Sequence, residues 1–485
     1  MAQPFVEPCA LGLIEAEPCP RELGREVAPR RRALVLAACV LASSMAFIDA
    51  SVLTVALPRL RADLGADFAA VQWILNGYIL ALASLTLIGG ALADVYGKAR
   101  MVAAGCILFG LASVACALAP GESWLIAARI AQGVAAAIFT PASLALIGAT
   151  YPREERSRAI GVWAAASALT TAGGPVLGGW LTESFGWPAI FWINPPIALL
   201  AVGMLLTFAP ADARERRRFD VPGAVILAAA LGALAWALSR IGPGGQGAGA
   251  DPGAPASSIA IAAGLGVAGL VAYAYRERSS EQPMTPPRLA LNRPFVGLNL
   301  ATLLIYAGLS VMFFLLPFDL VDRRGLAATD AGLAFLPFTL AVGFLSRAMG
   351  GLADRIGARA MLVAGPLGAA AAYAWMALGR DAPLAVGVIA PMALLGIGFA
   401  VLVAPLTAAV LSSVDESDEG LASGINNSAS RIAQLAGVAL AAGVASFAGG
   451  YVIGFAAAAA FSVGGAIVVA ATVPRGVATT AKRRR

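Results

Sequence analysis

The chain has 485 residues, of which 59% are apolar and only 13% charged, against roughly 45–50% and about 25% in a soluble domain. Its mean hydropathy of +0.80 excludes a soluble globular protein, which has nowhere to hide so much apolar surface, and excludes disorder, which needs the opposite imbalance. A formal net charge of +6 points toward nucleic acid on its own, but the basic residues are placed as membrane topology signals, so no nucleic-acid partner is expected.

Two absences narrow the chemistry. There is no histidine, which removes imidazole relays, Ser-His triads and His-containing zinc sites. The one Gly-Lys pair, Gly97-Lys98, is followed by alanine, so there is no phosphate loop with which to hydrolyse ATP. Cys9, Cys19, Cys39, Cys106 and Cys116 form no C-x-x-C pair and read as small buried hydrophobes.

In chain order, residues 1–32 are a polar tail, with five acids before Arg30 and no apolar core of a signal peptide. A bilayer crossing takes about 20 apolar residues. Fourteen such runs follow, near 33–57, 71–93, 101–119, 124–149, 158–181, 189–209, 221–239, 258–275, 295–317, 331–352, 360–378, 383–411, 420–447 and 451–473. The links 240–257 and 276–294 contain Gly and Pro and are too short for a soluble domain. With the N-terminus on the cytoplasmic side, twenty-five Lys and Arg fall on inner segments and six on outer ones. That bias predicts a multi-pass protein of the cell (inner or plasma) membrane with both termini cytoplasmic.

An internal repeat sets the architecture. GALADVYGKAR (Gly90 to Arg100) returns as GGLADRIGAR (Gly350 to Arg359), with Asp94 and Gly97 matching Asp354 and Gly357 at an offset of 260. Both copies close a second helix, which marks two bundles of the same orientation related by an axis along the membrane normal. The predicted fold is all-α: a six-helix bundle over 33–209, a linker with two extra helices over 210–290, a second six-helix bundle over 291–473 and a tail over 474–485.

These segments carry further motifs: IDASVLTVALP (Ile48 to Pro58), QWILNGYIL (Gln72 to Leu80), LIAARIAQGVAAA (Leu125 to Ala137), GGPVLGG (Gly173 to Gly179), FWINPP (Phe191 to Pro196) and GLASGINNSASR (Gly420 to Arg431). Together with the repeated turn they resemble, in order and across both bundles, the major facilitator superfamily, specifically its fourteen-helix drug–proton antiporters. The resemblance implies a carrier that alternates between inward- and outward-facing forms and exports hydrophobic or amphiphilic compounds against inward proton flow. No cofactor is implied beyond the proton gradient. The partners implied are a small amphiphilic solute, protons and the lipid bilayer, and no residue pattern specifies an accessory export protein. Asp319, in LLPFDLV, departs from related chains, which often carry a polar or aromatic residue there.

Asp49 is the one acid well inside a span, nine residues before Pro58. An ionisable group at a helix centre costs roughly 2.5–3.5 kcal/mol, which makes it a candidate proton carrier in a chain without histidine. Arg129 lies at a comparable depth, so the two can pair, and protonating the acid would release the pair. In the family the matching arginine is implicated in proton coupling. Gln132 is three residues on, on the same helix face, and is a candidate for the substrate cavity with Trp73, Asn76, Tyr306, Asn426, Asn427 and Arg431. Tyr78, Phe139, Phe335 and Phe338 offer further aromatic surface.

Gly174, Pro175, Gly178 and Gly179 suit a bent, closely packed helix, which the family uses as an antiporter motif that limits leak. Gly90, Asp94, Gly97, Lys98 and Arg100, with Asp354, Gly357 and Arg359 in the second copy, read as a cytoplasmic latch. Two other readings stay open: a dedicated exporter of an endogenous metabolite on the same fold, and a membrane sensor or scaffold that does not transport. An intramembrane enzyme has no visible nucleophile–base pair.

Overall fold

The computed structural model describes residues 28–210, 221–239, 256–279, 287–414, 419–445, 447 and 449–474. Every regular element among them is helical: α1 (Pro29–Leu64), α2 (Phe68–Tyr96), α3 (Lys98–Ala117), α4 (Glu122–Thr150), α5 (Arg153–Phe185), α6 (Ala189–Trp192), α7 (Asn194–Phe208), α8 (Val221–Ser239), α9 (Ala256–Ser279), α10 (Pro287–Leu291), α11 (Arg293–Phe318), α12 (Ala328–Leu333), α13 (Leu336–Ile356), α14 (Ala358–Leu378), α15 (Ala390–Ser412), α16 (Glu419–Ala445) and α17 (Gly450–Thr472). Each of the fourteen apolar runs carries a helix. Among the described residues, twelve helical stretches are long and apolar enough to cross a membrane. In α5 the hydroxyls of Ser167, Thr170 and Thr171 donate to carbonyls of their own helix.

Three runs differ in form from the reading of the sequence. The first helix runs through Pro58 to Leu64, so Arg59 and Arg61 lie on its last turns rather than in a loop. The sixth run is broken at Ile193 between α6 and α7, because Pro195 and Pro196 cannot accept a continuous helix from the preceding turn. The tenth is broken between α12 and α13. Local chemistry sets other ends: the Asp67 carboxylate accepts from the Ala70 N–H at 2.7 Å to start α2, and Asn292 does the same for Phe295 at α11.

The repeat is visible as backbone geometry. Gly97 and Gly357 share one turn, with φ/ψ of 105°/132° and 91°/134°, a conformation that a Cβ would strain. The side chains of Asp94 and Asp354 lie outside the described residues. Lys98 is partly buried and Arg100 exposed, while Arg359 donates to the Ala470 carbonyl on α17 at 2.5 Å. On α2 the close approach falls at Gly89, where a Cβ would strike the Ala137 carbonyl, whereas one at Gly90 would meet only Pro141 at 3.8 Å.

In the first half α1 packs on α5 and α7, and α4 on α2 and α3; in the second, α11 packs on α16 and α17, and α14 on α15 and α17. The α8–α9 pair packs on itself, and α8 also lies against α2 and α16. At the end of the molecule opposite the chain termini the two halves are joined. Arg61 pairs with Asp322 at 3.3 Å, and the Thr329 N–H donates to Glu183 at 3.0 Å. Bonding from Thr329 holds the Glu183 carboxyl below the usual range, so this contact is complete above that range and is lost as pH falls through the lowered value.

The GGPVLGG stretch lies on this joint. A Cβ on Gly174 would strike Ser51, one on Gly178 the Val52 carbonyl, and one on Gly179 the Ala328 carbonyl, whereas Gly173 faces open space. Pro175 sits inside an unbroken α5. The motif is thus a packing surface against α1 and α12. Gly178→Ala is expected to lower the thermal midpoint of purified protein, by the ~1–3 kcal/mol of an overpacked contact. Gly173→Ala should hold or raise it, because glycine in a helix interior costs roughly 0.5–1 kcal/mol relative to alanine.

Candidate functional site

The interior of the first half encloses a polar cluster built from five helices. Asp49 on α1 is 0% exposed and Arg129 on α4 is 1% exposed, and the Arg129 Nη1 is ion-paired with Asp49 Oδ2. The same Nη1 donates to Gln132 Oε1 at 2.7 Å, one turn along α4. Its Nε donates to the Ile74 carbonyl on α2 at 3.1 Å. The guanidinium lies over the Tyr78 ring at 4.4 Å and within 5.9 Å of the Phe191 ring, and the Tyr78 hydroxyl donates to the Ala46 carbonyl of α1.

The second carboxylate oxygen is served by side-chain amides. Asp49 Oδ1 accepts from Gln132 Nε2 at 3.2 Å and from Asn194 Nδ2 at 3.3 Å. Both amides also donate to Ser113 Oγ on α3, at 2.7 and 3.1 Å. Cys116, one turn from Ser113, donates its thiol to Gln132 Oε1 at 3.2 Å. Asn194 is the first residue of α7, followed by Pro195 and Pro196. Those prolines have no N–H, so the side chain of Asn194 is what this helix end offers the carboxylate.

Such a cluster stabilises the charged pair only as a unit. Desolvating two ions costs several kcal/mol each, and their attraction offsets that only when the remaining hydrogen-bonding positions are also filled. Here most of them are filled, although Asn194 Oδ1 is buried without a partner. A proton arriving on Asp49 would remove one charge and leave the guanidinium uncompensated.

The structure therefore brings together Asp49, Arg129 and Gln132, and adds Asn194, Ser113 and Cys116. Asn194 had a sequence signal, an amide before two prolines in an apolar run. Ser113 had none, since a single serine in a membrane helix bonds its own backbone as readily. Gln132 does not line a cavity: it is 0% exposed because both ends of its amide are used by the ion pair and α3. Phe139 is also fully buried, edge-on to Phe109 at 5.6 Å, and belongs to the core.

The other predicted cavity residues divide. Asn426 is tied into the second half, donating to Asn299 Oδ1 at 3.2 Å and Thr302 Oγ1 at 2.8 Å on α11. Asn427 is exposed, since a step of one residue turns it away from that pairing. Asn76 donates to the Leu435 carbonyl at 3.5 Å and so bridges α2 and α16. Trp73, Tyr306 and Arg431 are partly exposed. Asp319 is buried at the joined end, in a π-helical turn over Asp319–Arg323, and is held by Arg323 (Nη2, 3.1 Å) and Arg324 (Nε, 2.9 Å).

The sequence matches the profile of the Major Facilitator Superfamily over residues 39–291 and 298–485. It is 32% identical over 414 residues to the multidrug resistance protein Stp of Mycobacterium tuberculosis (strain CDC 1551 / Oshkosh), covering 85% of this chain and 75% of that protein. It is 34% identical over 417 residues to the cephamycin export protein CmcT of Amycolatopsis lactamdurans, covering 84% and 83%. Among solved structures it is similar to a bacterial homolog of the human lysosomal transporter Spinster in an inward-facing and unoccupied conformation (TM-score 0.63, 17% identity, 92% and 96% covered). It is also similar to the peptide transporter POT in complex with sulfate (TM-score 0.69, 14% identity, 92% and 95% covered). At these identities the structural likeness concerns the fold alone.

Removing one member of the buried pair is expected to be worse than removing both. Arg129→Gln should destabilise the purified protein by roughly 3–5 kcal/mol, read as a fall in thermal midpoint. The double variant Asp49→Asn/Arg129→Gln should recover most of the loss, and an additive double variant would show that the two do not interact.

Proposed function

The chain belongs to the Major Facilitator Superfamily and is a transporter rather than an enzyme, and we propose that it is a proton-coupled antiporter that exports small amphiphilic compounds by alternating access. The observation that carries this reading is the Asp49–Arg129 pair, closed off from solvent inside the first half. In this reading Asp49 is the proton carrier. While ionised it holds Arg129, Gln132 and Asn194 around itself. On protonation it becomes a poor partner for the guanidinium, and the helices those residues belong to are free to repack.

Asp49 has no exposed surface in this state, so a proton reaches it only when helices move. A carrier needs that gating if it is to avoid leaking protons between turnovers. Each proton entering down 100 mV supplies about 2.3 kcal/mol, which is available to move cargo uphill. The excess of basic residues on the segments at the end bearing the termini supports a cytoplasmic placement of both ends. The joined end, with Arg61–Asp322 and Glu183–Thr329, is then the external side, closed in an inward-facing state. Relatives named for multidrug resistance and for cephamycin export support a drug-like small molecule as cargo.

Everted membrane vesicles containing the protein should show collapse of an imposed pH gradient when a transported compound is added. Asp49→Asn is expected to reduce that response at least tenfold, with Asp49→Glu retaining part of it. Uphill accumulation that persists in Asp49→Asn would overturn the proposed role.

A further inference from the structure

Arg431 stands out among the interior arginines. Arg129 is compensated by a carboxylate, an amide and a carbonyl. Arg323 and Arg324 share Asp319 and reach the carbonyls of Arg380 and Ala382. Arg431, twelve residues into α16, has one hydrogen bond among the described residues, to Gln434 Oε1 at 3.4 Å. A guanidinium presents five N–H donors, so most of its bonding capacity is open. No described carboxylate pairs with it.

Its position is the seam between the two halves. Leu435, one turn along α16, accepts from Asn76 of α2, and α16 packs against α2, which carries Tyr78, and α11, which carries Tyr306. Two amide groups on the facing side of α2 are buried and incomplete: Asn76 Oδ1 and Gln72 Nε2 have no partner, in residues each 2% exposed. Beside Tyr306 runs a file of rings: Tyr306 to Phe399 at 6.2 Å, Phe399 to Phe338 at 5.7 Å and Phe338 to Phe313 at 5.9 Å. Tyr306, Phe338 and Phe313 are partly exposed.

The nearby acid does not offset this charge. Asp49 is spent on Arg129, whose guanidinium lies over the Tyr78 ring. The net charge of Asp49, Arg129 and Arg431 is thus +1 with the carboxyl ionised and +2 with it protonated.

We infer that the passage between the halves selects anionic amphiphiles, an aromatic or apolar body bearing a carboxylate or sulfonate, with Arg431 as the counter-charge. The planar fork of a guanidinium matches a carboxylate through two parallel hydrogen bonds. The ring file receives the apolar body. A cationic amphiphile entering the same space meets a like charge with no carboxylate to neutralise it. The inference rests on the transport reading and names its cargo. It has an energetic consequence, since an anion leaving and a proton entering both move charge in the direction an inside-negative potential favours.

The test is equilibrium binding to purified full-length protein without a proton gradient, using the anion carboxyfluorescein and the cation ethidium as fluorescent probes, with 1-naphthoate and 1-naphthylmethylammonium as a size-matched pair competing for the bound probe. The wild-type protein is expected to bind each anion at least tenfold more tightly than its cationic counterpart. Arg431→Gln should weaken anion binding at least tenfold, and Arg431→Lys should restore part of it. Tighter binding of the cations by the wild type, no binding of either anion, or anion affinity within twofold of wild type in a folded Arg431→Gln would each overturn the inference. The comparison within the wild type stands even if the variants fail to fold. Because no gradient is applied, loss of exchange with anion binding intact would count against proton coupling and leave the selectivity standing.

Discussion

A carboxylate and a guanidinium enclosed away from water stabilise one another only while both remain charged and every other donor and acceptor around them is occupied. In this protein α1, α2, α3, α4 and α7 all contribute to meeting that condition at Asp49 and Arg129. The break between α6 and α7 delivers an amide to the pair, and the i, i+3 spacings of Ser113 and Cys116 on α3, and of Arg129 and Gln132 on α4, place two polar groups per helix on one face. A change of one proton at the centre therefore acts on five helices at once.

The two halves share a scaffold and differ in charge. Their matching turns at Gly97 and Gly357 have nearly the same backbone angles. At the repeat's offset of 260, however, Asp49 and Arg129 correspond to Leu309 and Ile389, so the pair is not repeated at the matching positions of the second half. Arg431, on a different helix, has no carboxylate partner among the described residues. A pseudo-symmetric frame thus holds a compensated charge site inside the first half and an arginine without a described carboxylate partner at the seam.

Rigid close packing connects these sites to the joined end. Gly174 and Gly178 let α5 lie against the stretch of α1 that follows Asp49, and Gly179, the next residue, lets α5 rest on α12. The seam contacts Arg61–Asp322 and Glu183–Thr329 lie at the ends of those same helices. Packed elements of this kind shift between discrete arrangements rather than deforming continuously. A rearrangement begun at Asp49 has a short path to the contacts that join the halves.

The sequence by itself determined the membrane environment, the all-helical class, the duplicated turn and the candidacy of Asp49 and Arg129 as charges inside apolar helices. Each depends on a local quantity: hydropathy over about 20 residues, glycine at a turn with positive φ, or the rarity of a charge inside an apolar run. The tertiary structure alone decided what each polar side chain faces. Gln132 and Asn426 look alike in the sequence as amides on apolar helices, yet one completes the ion pair and the other joins α16 to α11. Asn194 and Ser113 enter the cluster only because α7 and α3 are folded against α1. The isolation of Arg431 is likewise a property of what surrounds it, since compensation of a buried charge depends on groups distant in the chain, and no linear pattern records which of them arrive.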